Sequence, residues 1–422
     1  MADGYILGLD AGTSVVKAAI FDLQGNELSR GARSVPITNP QPHLAEEDMQ
    51  EVWVAATEAI SHALTNGAVR ADQILGVSAT GQGDGSWLID GNGKPAGPAI
   101  LWTDGRAGDI VDGWNSDGSI TRQFDVSGTG PYAGTSSAIL RWRQDNQADR
   151  LEGATNLWCK DWIEYNLTGD ASTDPSDASL SGIDVANRTY SDKVFEAFGI
   201  NEQTRSVLPK LRRPTEQCGT VTSHAARVTG LREGTPVFKG QMDITASSPV
   251  VGWIIPHGPD TWIRALGLSA CTPNVDWYLR EFGGPFREEA AAQSPEVGLF
   301  DFLDAGIKST PLGSGGVIFH GYLAPGGERA PFIKPSARGM FNGITGSHTR
   351  WHLLRAVYEG VAFGIRDCLD SIPFEVETVR MAGGGANSPV WAQIFADVLG
   401  RRIVVPAGSE SVSYTHLTLP TN

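Results

Sequence analysis

The chain has 422 residues and a formal net charge of -15, with 51 glycines, 24 prolines and four cysteines. That length allows two domains and a large core, and the composition reads as a loop-rich globular α/β protein. The acidic balance argues against a general binder of nucleic acid or of an anionic membrane, so an anionic ligand needs a local positive pocket.

In chain order, Ile6 to Asp22 predicts an apolar strand, a turn at Asp10-Ala-Gly-Thr-Ser14 and a second apolar strand through Phe21. A small glycine-containing turn lets backbone N–H groups approach a phosphate. Thr13 and Ser14 add hydroxyl donors, Lys17 a positive charge, and Asp10 a carboxylate that can face a hydrated metal. A plain β-hairpin with a hydroxyl-rich turn is the competing reading. Leu28 to Ile37 can supply a third strand. Asp48 and Glu51 have capping-box spacing ahead of a helix with Val52, Ala55, Ala56, Ala59, Ile60, Ala63 and Leu64 on one stripe. Ile74 to Ala79 is a buried-strand candidate that runs into the glycine-rich loop Thr80 to Gly85.

Trp87 to Asp90, a Gly91-Asn-Gly93 turn and Ala99 to Trp102 read as strand, turn, strand. Helical pieces follow at Ile139 and over Leu157 to Leu167, where Trp158, Trp162 and Tyr165 read as core. Thr168 to Tyr190 is polar, a long loop or small subdomain. A strand ending at Phe238 breaks at Lys239-Gly-Gln-Met-Asp243, and Ile244 to Ile255 resumes as an apolar helix or strand. The first domain, 1–250, is expected to end there. Beyond it, Gly313 to Phe319 enters a strand, Pro325 to Phe332 is turn-rich, and Thr349 to Leu369 predicts a long helix. Gly360 and Gly364 in that helix suit close packing. Val376 to Met381 predicts a strand. Ala382-Gly-Gly-Gly-Ala-Asn-Ser-Pro389 then opens a helix, Val390 to Leu399, with Ser388 as N-cap. Strand, triple glycine and helix start suit a nucleotide, or simply a structural turn.

Cys159, Cys218, Cys271 and Cys368 are far apart, which speaks against a disulfide framework or a zinc site. His348 and His352 lie four apart without a third ligand and read as surface or capping residues. No apolar run is long enough to span a bilayer. The N-terminus runs straight into a strand without a basic-then-apolar segment, so a cytoplasmic setting is expected. No Walker loop occurs, and the first turn is a hairpin rather than a dinucleotide-type βα turn.

Taken together, these segments resemble the FGGY family of carbohydrate kinases, within the actin-like, ribonuclease-H-like ATPase superfamily. Leu9 to Ser14 with Lys17 resembles its first phosphate motif, Gly240-Gln-Met-Asp243 its catalytic-aspartate motif, and Gly383 to Trp391, with Gln393 and Asp397, its adenosine motif. Glu359 to Arg366 resembles the helix before it. The resemblance implies an α/β fold of two domains with an interdomain cleft, and ATP-dependent phosphorylation of a hydroxyl on a small sugar or polyol. It implies Asp243 as general base, Asp10 for Mg2+, and Gly12, Thr13, Ser14, Lys17, Gly383, Gly384, Gly385 and Asn387 around ATP. It implies Gln82, Asp84, Trp102, Asp104 and Arg106 on the substrate side, Trp102 either stacking on the carbon chain or closing the core. A carboxylate at Asp84 suits a polyol, because it only accepts hydrogen bonds. The run Gln82 to Asp90, with Cys159 to Trp162, Asn166 to Gly169 and Gly327 to Arg329, resembles the erythritol kinase branch first and the L-xylulose kinase branch next. A homo-oligomer stays open.

Two departures stand out. The family's second phosphate motif has no clear counterpart, since Trp253 to Asp260 passes almost directly into Thr261 to Asn274; Gly267-Leu-Ser269 is the nearest substitute. The second domain, 251–410, is therefore expected to lack a strand or two, and 411–422 reads as foreign or out-of-frame. These departures leave two other readings open: a degenerate kinase-fold binder without turnover, or an actin- or chaperone-like ATPase.

Overall fold

A computed structural model describes residues 4–242, 253–257, 261–265, 267–293, 298–371, 375–382 and 384–405. Two compact units divide after Ala265. Asp243 and Gly383 lie outside the described residues, as does the tail beyond 405.

The first unit is built on a six-stranded sheet. Its strands are β1 (Tyr5–Ala11), β2 (Val15–Asp22), β3 (Glu27–Ser34), β4 (Ile74–Gly81), β5 (Gln217–Thr220) and β6 (Pro236–Phe238). The order across the sheet is β5-β6-β4-β1-β2-β3. β1, β2 and β3 form an antiparallel meander, while β4 runs parallel to β1 and β6 parallel to β4. This is the ribonuclease-H-like arrangement that the resemblance implies. Helix α1 (Met49–Asn66) packs on β2 and β3 with nine buried residues, the expected stripe among them. Asp48 caps it, its Oδ1 accepting from the Gln50 and Glu51 amides at 2.7 and 3.3 Å. Helix α2 (Cys159–Thr168) packs on β4, β1 and β6. Trp158 and Trp162 are buried, as expected. Each fully buried apolar side chain of this size contributes roughly 1.5–3 kcal/mol. Trp87–Ile89 pairs with Thr155–Leu157 and meets the following run at the Ser86–Ile100 and Ile89–Pro95 antiparallel bridges, in line with the expected strand, turn, strand; Ala99–Ile100 pairs in addition with Glu46–Glu47.

The second unit is organised on α3 (Arg350–Asp370) and α4 (Pro389–Leu399), with Leu354, Val357, Tyr358 and Val361 facing Tyr278, Leu303, Phe319 and Trp391 in one cluster. A Cβ on Gly360 would lie 2.4 Å from the Phe319 carbonyl oxygen, so only glycine permits that approach. The buried Arg355 holds Glu359 at 2.7 Å and donates to the Ile307 and Thr310 carbonyls. Among the described residues its strands form only two pairs, Ile318–His320 with Met340–Asn342 and Thr378–Arg380 with Arg402–Val404.

Candidate active site

The β1–β2 turn closes through the Gly12 amide, which donates to the Val15 carbonyl at 3.2 Å. Asp10 sits opposite Lys17 across the ladder. It is 8% exposed, and burial pushes its acid up to about 6 while the Lys17 ammonium pulls it down. A Cβ built on Gly12 would meet the Val15 carbonyl oxygen at 3.4 Å, an ordinary contact. A buried carboxylate beside a hydroxyl-rich turn fits a hydrated divalent cation and the phosphates it accompanies, since Mg2+ takes one or two carboxylates and keeps most of its other positions for water and phosphate.

The loop after β4 meets this turn. The Gln82 amide donates to the Ala11 carbonyl at 2.9 Å, and the Trp102 indole N–H donates to Thr13 Oγ1 at 3.0 Å. Trp102 therefore ties its own loop to the β1–β2 turn. Asp84 takes a left-handed backbone (φ 59°), which Asp tolerates better than most residues. Its Oδ2 accepts from Tyr132 Oη at 2.7 Å and its Oδ1 from the Ser136 amide at 3.1 Å. Gln82 Nε2 donates to Glu47 Oε2 at 3.0 Å, while Gln82 Oε1 and Glu47 Oε1 have no hydrogen-bond partner among the described residues. Burial pushes the Glu47 acid up to about 8, the Gln82 bond opposing it. Glu47 was not singled out in the sequence, where Asp48 beside it carries the recognisable capping signal.

Asp104 and Arg106 bind each other. Asp104 Oδ1 accepts from the Arg106 amide and Nε, both at 2.8 Å. Its Oδ2 accepts from the Ala45 amide at 2.7 Å and Arg106 Nη2 at 2.9 Å. Four donors fill the acceptor capacity of a carboxylate. Arg106 also reaches Glu46 Oε1 at 2.6 Å and lies over the Trp142 ring. The pair clamps the Ala45–Glu47 segment.

Beyond β6 the backbone runs alongside β4. A Cβ on Gly240 would lie 1.6 Å from the Ala79 carbonyl oxygen, which only glycine avoids, and Met242 bridges to Gly81. Beneath lies a buried charge cluster. Lys160 Nζ is 2.6 Å from Asp161, 3.0 Å from Asp174 and 3.0 Å from Asp177. Lys239 Nζ is 3.2 Å from Asp161 and 2.6 Å from Glu164. Burial alone would lower the Lys160 ammonium, but these carboxylates hold it well above its ordinary value. Burial pushes the Asp177 and Glu164 acids up, while the lysine ammoniums pull them down. The only sequence signals were the Cys159-Lys-Asp-Trp162 run and the polar stretch after Thr168.

In the second unit, Gly384–Asn387 is a single tight turn leading to α4. Ser388 caps α4, accepting from the Trp391 amide at 3.0 Å and donating to Asp304 at 2.7 Å. Gly385 lies against Trp391, where a Cβ would come within 2.9 Å of the indole. Asn387 is exposed. His348 and His352 cap the turn and helix start, their Nδ1 atoms accepting from the Thr345 and Thr349 amides.

Compared with known proteins, residues 5–249 match the N-terminal domain and residues 247–414 the C-terminal domain of the FGGY family of carbohydrate kinases. The chain belongs to the FGGY family. It is 30% identical over 439 aligned positions to the L-xylulose/3-keto-L-gulonate kinase of Escherichia coli (strain K12), covering 96% of this chain and 86% of that protein. It is 28% identical over 443 positions to the erythritol kinase of Brucella abortus (strain 2308), covering 96% and 85%. The solved xylulose kinase from Rhodospirillum rubrum superposes with a TM-score of 0.75 at 25% identity, covering 98% of this chain and 89% of that one. The chain is thus a carbohydrate kinase of the two-domain α/β actin-like class, a phosphotransferase family that uses ATP as donor and a small sugar or polyol as acceptor.

The aligned length of 439 positions exceeds the 422 residues of the chain, so the Escherichia coli relative carries internal residues without a counterpart here. At Gly267-Leu-Ser269, the nearest substitute for the second phosphate motif, the Ser269 amide is already bound to the buried Glu328 carboxylate at 2.9 Å. Gly267 O accepts from Arg329 Nε at 2.9 Å. These groups brace the unit internally.

The Trp102–Thr13 bond carries a prediction. Trp102→Phe keeps an aromatic ring and loses the indole N–H. A neutral hydrogen bond is worth about 0.5–1.5 kcal/mol. Roughly a three- to tenfold rise in KM for ATP is expected, read from initial rates at saturating acceptor. An unchanged KM for ATP would show that the bond does not shape the phosphate turn.

Proposed function

We propose that this kinase transfers the γ-phosphoryl group of ATP to a hydroxyl of a four-carbon polyol or a pentulose, with Asp243 as general base and Asp10 holding Mg2+. The observation that supports this most is the register at the carboxyl ends of the strands. Asp10 stands opposite Thr80, Ala11 opposite Gly81, and Gly81 opposite Met242, the residue before Asp243. Open α/β sheets bind ligands outside the carboxyl ends of their strands.

In this reading Asp243 takes the proton of the acceptor hydroxyl as its oxygen attacks the γ-phosphorus. The bond to the β–γ bridging oxygen breaks and ADP leaves. Thr13, Ser14 and Lys17 hold phosphate oxygens, Gln82 and Asp84 orient the acceptor, and the 383–387 segment receives adenosine. Bound Mg2+ supplies charge neutralisation on the phosphates. The acceptor is expected to be erythritol ahead of xylulose, because the loop after β4 carries Asp84. ADP release with erythritol, L-xylulose, D-xylulose and no acceptor tests both levels. Acceptor-dependent release supports the kinase reading. Equal release without acceptor indicates an ATPase, and ligand stabilisation without release a non-turning binder. Xylulose faster than erythritol rejects the substrate order.

Asp10 must be ionised to hold a cation. With its acid pushed up to about 6 by burial, kcat/KM for ATP is expected to fall about tenfold per pH unit below that value. Higher Mg2+ should move the limb to lower pH, because the cation competes with the proton. A limb near 4 that ignores Mg2+ would assign it to another group.

A further inference from the structure

We propose that Thr80, Glu164 and Ser176 are positioning residues that fix the backbone leading into Asp243. The inference rests on the reading of Asp243 as the base. Beyond Phe238, where β6 ends, the backbone groups find side-chain partners. The Gly240 amide donates to Glu164 Oε1 at 2.9 Å. Thr80 Oγ1 donates to the Gln241 carbonyl at 2.7 Å. The Met242 amide donates to Ser176 Oγ at 2.9 Å. Three consecutive residues are thus held from three different elements: α2, β4 and the turn at Pro175–Ala178.

The buried charges explain how these anchors are themselves held. One arm runs from Lys239 Nζ to Glu164 Oε2 at 2.6 Å and on to Gly240. The other runs from Lys160 to Asp174 Oδ1 at 3.0 Å; Asp174 Oδ2 accepts from the Ser176 amide at 2.8 Å, and Ser176 holds Met242. Both lysines meet at Asp161 Oδ1. Ion clusters of this kind are costly to bury, and an apolar core of the same volume is often as stable or more so. What the cluster adds is a fixed direction for a short backbone segment. A general base must come within about 2.6–3.2 Å of its proton, and a misplacement of about 1 Å can cost about a hundredfold in rate.

The test is kinetic. Thr80→Val is nearly isosteric and loses the hydroxyl, Thr80→Ser keeps it, and Ser176→Ala removes the second anchor. Thr80→Val and Ser176→Ala are each expected to lower kcat about tenfold in single-turnover measurements, with KM for ATP and acceptor within about twofold. Thr80→Ser should recover most of the loss. Wild-type kcat in both Thr80→Val and Ser176→Ala, or Thr80→Ser no better than Thr80→Val, overturns the proposal. So does a loss carried by both KM values instead of kcat. Asp243→Asn run in parallel separates the two readings. Full turnover there rejects the base itself, whereas a loss there with unaffected anchor variants rejects only the positioning role.

Discussion

Asp243→Asn is expected to lower kcat about a thousandfold while leaving the Kd for ATP within about twofold, since a positioned general base contributes about 10²–10⁴. Asparagine preserves size and hydrogen-bonding reach but cannot take the acceptor proton. The preceding residue, Met242, stands at the carboxyl end of β4 beside Gly81, and its amide is bound to Ser176. Gly240 is packed so closely on Ala79 that no other residue fits. The segment is therefore held independently of the carboxylate, and the substitution should alter chemistry without altering binding. Single-turnover transfer to erythritol gives kcat for the chemical step, and calorimetric titration with ATP gives Kd. A loss below tenfold would remove Asp243 from its role. A large loss accompanied by an equal loss of ATP affinity would instead make it a phosphate or metal contact.

The hairpin and the long helices were legible because their signals are local. In β1 and β2, a short turn between two apolar runs sets the register, and the register puts Asp10 opposite Lys17. In α1, the Asp48 cap and the alanine-rich stripe determine both start and buried face. The charge cluster was not legible, because its members span Lys160 to Lys239 and meet only when α2, the Asp174 turn and β6 pack together. Charged residues are seldom fully buried unless paired, and nothing local in a sequence announces the pairing. Asp104 and Arg106 show the same. The family resemblance marks them for the substrate side, and the fold adds partners no local signal announces, the Ala45 amide and Glu46 about sixty residues earlier. Glu47 and Gln82 likewise become partners only through the fold.

Lys160→Met is expected to destabilise the first unit by about 3–5 kcal/mol, the range for removing one partner from a buried ion pair. Methionine matches the length of the stem, so packing loss is small and the charge is the main change. The Lys160 side chain is 1% exposed and neutralises three acids. Without it, Asp161 keeps the Lys239 ammonium at 3.2 Å, while Asp174 and Asp177 lose the ammonium they contact. Asp177, whose acid burial already pushes up, responds by holding a proton that the unfolded chain gives up at neutral pH. The native state then binds more protons than the unfolded one, so stability falls as pH rises from the ordinary carboxylate range through the raised values. Wild-type Lys160, held above its ordinary value, contributes fully throughout pH 5–8, because both its folded and unfolded pKa values lie above that window. The deficit of Lys160→Met should therefore be smaller at pH 5 than at pH 8 in urea unfolding. Adding Asp177→Asn should recover part of it, since one uncompensated acid is gone. A deficit under about 1 kcal/mol, or one equal at both pH values, would mean that the acids are compensated elsewhere. The same double variant also bears on catalysis. Recovered stability with kcat still depressed would show that the cluster directs the Gly240–Met242 backbone, beyond merely tolerating its own burial.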